Sequence, residues 1–366
     1  MRTTYEAEPT DYAVPPGETL AEWLEEREMS QGQLAQRLDK STKHVNQIIN
    51  GVAPIVPSTA LDLEFVTGIS ARFWLSREAA YREDLERLKR SMEIEHSFDW
   101  LQEIPLAELR RRGAVTGTLR DKASCVIEAL RFFGVPSVGI WRDTYLQPQA
   151  AFRQSRAHEV SPGAVAAWLR FGQLEAERLD LPPFRAEALR AGLPTIRDLM
   201  RSGGDLGQAI IDACGQAGVV IASVPDVPGT RASGATHWMR GRPIVQLSLR
   251  GKTDDRFWFT LFHQLAHVLL HGRGEVFIES TGRRDDADTA AKEHEADQFA
   301  GRWLIPSAHA HRLSDLRSLE DVRRFAAEIG VSPGVVVGRL HHDRLRPWNW
   351  GAGLKARVDF VDEGTG

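Results

Sequence analysis

From Pro16 onward the apolar residues recur at intervals of three and four, the spacing of a helix face that meets a core. TLAEWLEEREM puts Leu20, Trp23 and Leu24 on one face. Ser30 opens SQGQLAQRL with Gln33 three positions later, a capping-box spacing, and Ser41 opens STKHVNQIING, where Val45, Ile48 and Ile49 turn inward and Gly51 ends the helix. After PIVP come STALDLEFVTG and SARFWLSREAAYREDLERLK, so five short helices are predicted between Pro16 and about Lys89. The second and third, joined by the turn DK and with small polar side chains on the outer face of the third, make a helix-turn-helix pattern. From about Ser91 to Gly215 the pattern stays helical, in LAELRRRG, DKASCVIEALRFFG, SPGAVAAWLRFGQLEAERL and LGQAIIDACGQAG, with its aromatics read as core. Between Gly218 and Leu249 it changes to β-branched runs, VVIASVPDV and ATHWMRGRPIVQLSLR, which predict a small antiparallel hairpin around RGRP. The expected fold is α+β, mainly α, in three parts: 1–90, 91–215 and 216–366.

Candidate chemistry is concentrated after this hairpin, in FWFTLFHQLAHVLLHG. His263 and His267 are four residues apart, which on a helix means about 40° of rotation and about 6 Å of rise. Both imidazoles leave one face and can share a zinc ion. The rest of the segment is apolar nearly all round, so the helix is buried and its histidines need partners. Downstream, KEHEADQFAGRWLIP is a helix with Ala296, Phe299, Ala300, Trp303 and Leu304 inward. Glu293 and Asp297 again lie four apart, Glu293 placed to give a third ligand and Asp297 to orient a histidine. Glu295 competes as a ligand, but two residues are about 200° of rotation, which turns it away from Glu293. His271, about 80° round the axis from His263, reads as a supporting or structural histidine.

Two stretches resemble known families. PGETLAEWLEEREMSQGQLAQRL with VNQIINGVAPIVPSTALDLEFVTGISARFWL is similar to the helix-turn-helix domain of HigA-type antitoxins within the XRE repressor family. That resemblance implies DNA contact through Gln31, Ser41, Thr42, Lys43, Asn46 and Gln47, or use of the domain for dimerisation or toxin binding. The two histidines and the ExxAD-x-FA helix ending in Pro resemble the ImmA/IrrE family of zinc metallopeptidases, from about Gly218 to Pro306. It implies a zincin-like core with zinc held by His263, His267, Glu293 and a water. It further implies a protein substrate such as an XRE-type repressor, an antitoxin-like partner or this chain's own amino-terminal domain. His342, in VVVGRLHHDRLRPW, is by the same resemblance a candidate to steady the transition state; as a residue near a helix end it also suits the dipole.

One position departs from that family. Gln264 stands where a zinc peptidase has the glutamate that takes a proton from the attacking water, and an amide cannot accept it. Either an inactivating substitution has been introduced or the base was lost in nature. The intact zinc ligands and Asp297 favour the former, since a chain long removed from catalysis would lose some of them. The competing function is a non-catalytic antitoxin or transcription regulator whose peptidase-like domain senses a ligand or partner.

Composition narrows the setting. The 366 residues carry a formal net charge of −4, with 42% hydrophobic and 26% charged residues. Acidic residues outnumber basic ones between Gly17 and Lys89, so DNA binding would depend on a local surface rather than a global pull. Two cysteines, Cys125 and Cys214, have no metal-ligand spacing and fit a reducing compartment. The first residues lack the basic start and apolar run of an export signal, and no window approaches the roughly 20 apolar residues of a membrane helix. A cytoplasmic protein without membrane contact, able to form a homodimer, is expected.

Overall fold

The computed structural model describes residues 12–146, 160–201, 206–248, 253–273, 275–280 and 287–358. The chain divides into two compact units, Met1–Phe98 and Asp99–Gly366.

The first unit consists of α1 (Pro16–Glu26), α2 (Gln31–Arg37), α3 (Thr42–Ile49), α4 (Pro57–Thr67) and α5 (Ala71–Glu95). The capping box on α2 is closed in both directions. Gln33 N donates to Ser30 Oγ at 3.2 Å, and Ser30 N donates to Gln33 Oε1 at 2.8 Å. Asp39 takes a left-handed φ of 52°, which turns the chain into α3. Leu20, Leu34, Val45, Ile48 and Trp74 meet in the core. The fifth helix is not short: it runs for 25 residues, through Lys89 to Glu95. Pairs such as Glu83 with Arg87 lie one turn apart along this polar stretch, and the apolar pattern stops before the helix does.

Gly17 lies against the main chain of Ile48 and Ile49, where a Cβ would collide with backbone that cannot rotate away. Alanine gains at most about 1 kcal/mol of helix propensity, whereas overpacking against backbone costs about 1–3 kcal/mol. Gly17→Ala should therefore destabilise the protein by about 1–2 kcal/mol in thermal or denaturant unfolding. A stabilised variant would mean that α1 and α3 do not meet this closely.

The second unit begins with α6 (Leu106–Arg111), α7 (Lys122–Phe133), α8 (Val138–Trp141), α9 (Pro162–Glu177), α10 (Ala186–Asp198) and α11 (Leu206–Gly215). Strands β1 (Val220–Ser223), β2 (Ala232–Met239) and β3 (Arg242–Leu247) follow, then α12 (Asp254–Leu270), β4 (Phe277–Ser280) and α13 (Ala287–Leu304). It closes with α14 (Ser307–Ala310), α15 (Leu319–Ile329) and α16 (Pro333–His342). The hairpin β2–β3 turns at Arg240 and Gly241, both with positive φ, as a two-residue turn requires. Leu249, the expected end of this region, lies outside the described residues.

The expected antiparallel hairpin is present as β2–β3, within a larger sheet that is mixed rather than wholly antiparallel. Its order is β1-β3-β2-β4, with β1 parallel to β3 and the other pairs antiparallel. Local β-branched runs mark strands, but pairing partners and directions are chosen over long range: β3 docks beside β1, and β4 arrives from beyond α12. Alternation along the strands sorts the two faces. Ile221, Val245 and Leu247 pack toward Phe257, Leu261 and Leu265 of α12. Val220, Ala222, Ile244 and Ala235 pack toward Ala164, Val165 and Trp168 of α9. The sheet is thus sandwiched between two helices, one of which carries the candidate chemistry. Among the described residues no single helix is long and apolar enough to cross a membrane.

On the α9 side, His237 is buried and its Nε2 lies 3.3 Å from Gln246 Oε1, while Gln246 Nε2 donates to Trp168 O at 2.6 Å. Burial pushes His237 down to about 4. A histidine lowered on folding is neutral in both states above its unfolded value of about 6.5. Stability is then complete, and is lost as pH falls because only the unfolded chain takes the proton. Between pH 7 and pH 5 this histidine should cost roughly 2 kcal/mol of stability. Urea unfolding of the unaltered chain and of His237→Gln at both pH values would read that difference; identical pH slopes would remove it.

A candidate metal centre

The register of α12 is fixed at its first turn. Asp254 accepts from Ser332 Oγ at 2.6 Å and from Ala356 N at 3.1 Å, and Asp255 pairs with Lys355 at 2.6 Å. Carboxylates suit a helix N-terminus, where unpaired N–H groups concentrate positive charge. Further along, Phe262 stacks on Trp303 of α13 with the rings 9° from parallel. α13 turns Glu293, Ala296, Ala300 and Leu304 inward, and Phe299 and Trp303 are partly covered.

This packing brings His263, His267 and Glu293 together, all three buried, with one possible ligand atom from each within 4.8 Å of the others. The two Nε2 atoms are 3.0 Å apart. Glu293 Oε2 lies 2.9 Å from His263 Nε2, and Oε1 lies 3.6 Å from His267 Nε2. Around a tetrahedral zinc with bonds of about 2.0–2.1 Å, neighbouring ligand atoms are roughly 3.3 Å apart. The observed spacings straddle that value, and two imidazoles with a carboxylate are a donor set zinc accepts. The residues fit the ion.

Around this centre, Asp297 Oδ1 is 2.9 Å from His263 Nδ1, close enough for charge attraction though not aligned as a straight hydrogen bond. The ring of Phe277, on β4, stacks on His267 with centroids 4.0 Å apart. His271 does not continue the helix as expected. It caps α12 in an extended conformation, φ −113° and ψ 154°, so a helical projection misplaces it. From there its Nδ1 reaches His267 Nδ1 at 2.9 Å and its Nε2 reaches Glu295 Oε2 at 3.2 Å. Glu295 lies outside the three-residue cluster but is tied to it through His271.

The electrostatics follow from burial and these neighbours. Burial alone would lower His263, but Asp297, Glu293 and Glu279 outweigh it and raise it to about 9. Burial lowers His267 to about 4 against the pull of Glu293. Burial raises Glu293, yet the two histidines hold it well below the usual carboxylate range. An ionised carboxylate and a neutral imidazole are the forms that ligate a cation, so Glu293 and His267 are ready as they stand, whereas His263 gives up a proton when an ion binds.

Gln264 is fully buried on the sheet side of α12. Thr236 Oγ1 lies 2.9 Å from its main-chain O and 2.8 Å from its Oε1, and its Nε2 has no hydrogen-bond partner among the described residues. Gly234 makes room here: a Cβ would sit 2.6 Å from Thr260 Cγ2 and 3.1 Å from Gln264 Cγ. The structure does not bring His342 to the cluster. It is exposed at the end of α16, with Nδ1 3.1 Å from Asp343 Oδ1, while its neighbour His341 is buried and meets Trp350 O at 2.8 Å.

In the first unit, Ser41, Thr42, Lys43 and Asn46 are exposed along α3, and Gln47 and Gln31 are half-buried. Asn46 Nδ2 donates to Gln31 Oε1 at 3.2 Å, linking the two helices, and Ser41 Oγ is engaged as the cap of α3 by His44 N.

Sequence reasoning missed Thr236, Phe277 and Glu279, all brought in by strands. Glu279 shares a face of β4 with Phe277, and its buried Oε2 has no hydrogen-bond partner among the described residues. No local pattern in VFIES marks either residue.

A helix-turn-helix unit followed by an α+β unit with a buried His-His-carboxylate centre is the class of protein defined here. Residues 214–341 match the model of the IrrE N-terminal-like domain, and the matched stretch includes all three clustered residues. A solved structure with similarity to the chain is an addiction module antidote protein of a HigA family from Coxiella burnetii, 34% identical, covering 25% of this chain and 91% of that one with a TM-score of 0.20. No curated protein matches the sequence.

Proposed function

We propose that the chain is a cytoplasmic regulator in which an IrrE-like zinc peptidase domain hydrolyses a peptide bond in a repressor, an antitoxin-like partner or the chain itself. The observation that carries this reading is the convergence of His263, His267 and Glu293, buried and in range of one ion. Zinc bound there supplies Lewis acidity to the scissile carbonyl and the attacking water. His263, His267 and Glu293 hold it, Asp297 steadies His263, and His271 steadies His267. A glutamate at position 264 takes the water's proton and delivers it to the leaving amine; Gln264 leaves that step without a base. The polar row of Gln31, Ser41, Thr42, Lys43, Asn46 and Gln47 faces DNA, with Lys43 on phosphate and the amides near base edges. The first unit is also the natural site for a homodimer or a toxin partner.

Gln264 itself favours a second reading, in which this chain binds a protein partner or ligand at the zinc domain without cutting it. The hydrolytic reading requires the metal, and the binding reading survives without it. Purified protein should contain about one zinc per chain and His263→Ala almost none. Metal absent from both would leave a binding protein with only the outline of a peptidase.

A further inference from the structure

Resting on the reading of a zinc centre, and deepening it, the geometry points to Glu295 as the positioning residue that sets which nitrogen of His267 is bare. Four groups form a line: Glu295 Oε2, 3.2 Å from His271 Nε2; His271 Nδ1, 2.9 Å from His267 Nδ1; and His267 Nε2, 3.0 Å from His263 Nε2.

A neutral imidazole carries one N–H and one bare nitrogen, and an ionised carboxylate only accepts. Facing Glu295, His271 must present Nε2–H. Its Nδ1 is then bare and accepts from Nδ1–H of His267. That leaves the lone pair of His267 Nε2 free, on the side of His263 and Glu293, where a metal would take it. The opposite polarity sets a bare His271 Nε2 against a carboxylate and puts a proton on His267 Nε2, closing the ligand position. One exposed carboxylate therefore selects the tautomer of a fully buried histidine through a second ring. Phe277 stacks on His267 with centroids 4.0 Å apart and lies 5.3 Å from His271, which restricts both rings to the planes this relay needs.

The side chain of Glu295 is 64% exposed, so its removal leaves no cavity and the fold should tolerate it. The test is a long-range proton–nitrogen NMR spectrum of the metal-free, ¹⁵N-labelled full chain near neutral pH, assigned with His267→Phe and His271→Phe, beside zinc titrations. The expected result is an Nδ1–H tautomer for His267 and an Nε2–H tautomer for His271. In Glu295→Ala the His271 preference should be lost and the zinc Kd should rise about tenfold to a hundredfold, with the melting temperature of the metal-free protein nearly unchanged. Glu295→Gln, able both to accept and to donate, should fall between. An Nδ1–H or doubly protonated His271 in the unaltered chain would overturn the inference, as would Glu295→Ala with unchanged tautomers and Kd. Because the tautomers are read without metal, a chain that bound no zinc would sink the metal reading while the spectra still decided this one.

Discussion

Glu293→Ala should weaken zinc binding by roughly two to three orders of magnitude while leaving the protein folded. The size follows from dividing the binding free energy of a protein zinc site, about 10–16 kcal/mol, among about four ligands, which gives about 2.5–4 kcal/mol each, at a factor of ten per 1.4 kcal/mol. Among the described residues Glu293 is the one carboxylate that reaches both histidines, so its loss removes a ligand and the charge that offsets the cation. Two effects oppose in the metal-free protein. Without Glu293 the buried histidines lose a partner, but the pair no longer has to hold a buried carboxylate. Asp297→Ala, which removes a neighbour of His263 rather than a ligand, should cost only about tenfold to a hundredfold. Competition titrations against a chromophoric chelator rank the two variants. If Asp297→Ala proved as damaging as Glu293→Ala, the assignment of ligand and support would be reversed.

The contrast between these residues shows what the amino-acid pattern could carry. That His263 and His267 share a face, and Glu293 and Asp297 another, could be read from two four-residue intervals, because helix geometry projects such pairs onto one face whatever the rest of the fold does; that the two faces meet was implied by the family resemblance. Helix starts were legible for a similar reason: Ser30 with Gln33 and the Ser41 cap are local hydrogen-bond arrangements. What failed depended on where a helix stops or what it meets. His271 was projected along a helix that ends one residue earlier, so its contact with Glu295 was invisible. Thr236, Phe277 and Glu279 enter through strand pairings spanning α12, and the parallel β1–β3 pair has no local signature at all. The length of α5 escaped because charged one-turn pairs, not an apolar stripe, accompany its second half.

Replacing Gln264 by Glu should raise peptide-bond hydrolysis by the zinc-loaded protein about a hundredfold to ten-thousandfold, the range attributable to a positioned general base. The surroundings of position 264 suit a carboxylate better than an amide. Thr236 Oγ1, 2.8 Å from Gln264 Oε1, can donate to an oxygen there, whereas the amide nitrogen is a buried donor with no acceptor among the described residues. Such an orphan donor costs about 1–3 kcal/mol. A glutamate puts an acceptor at both places: one oxygen held by Thr236, the other free to take a proton. Burial disfavours the charged form of that carboxylate, which helps it take up the water's proton before passing it to the leaving amine. Gel and mass-spectrometric detection of new termini in the chain itself, and in an added helix-turn-helix repressor, would follow the gain. His263→Ala in the same background should abolish it. If Gln264→Glu binds one zinc and still cuts neither protein, with DNA present or absent, the hydrolytic reading fails. The metal then serves a domain that recognises a partner and holds it.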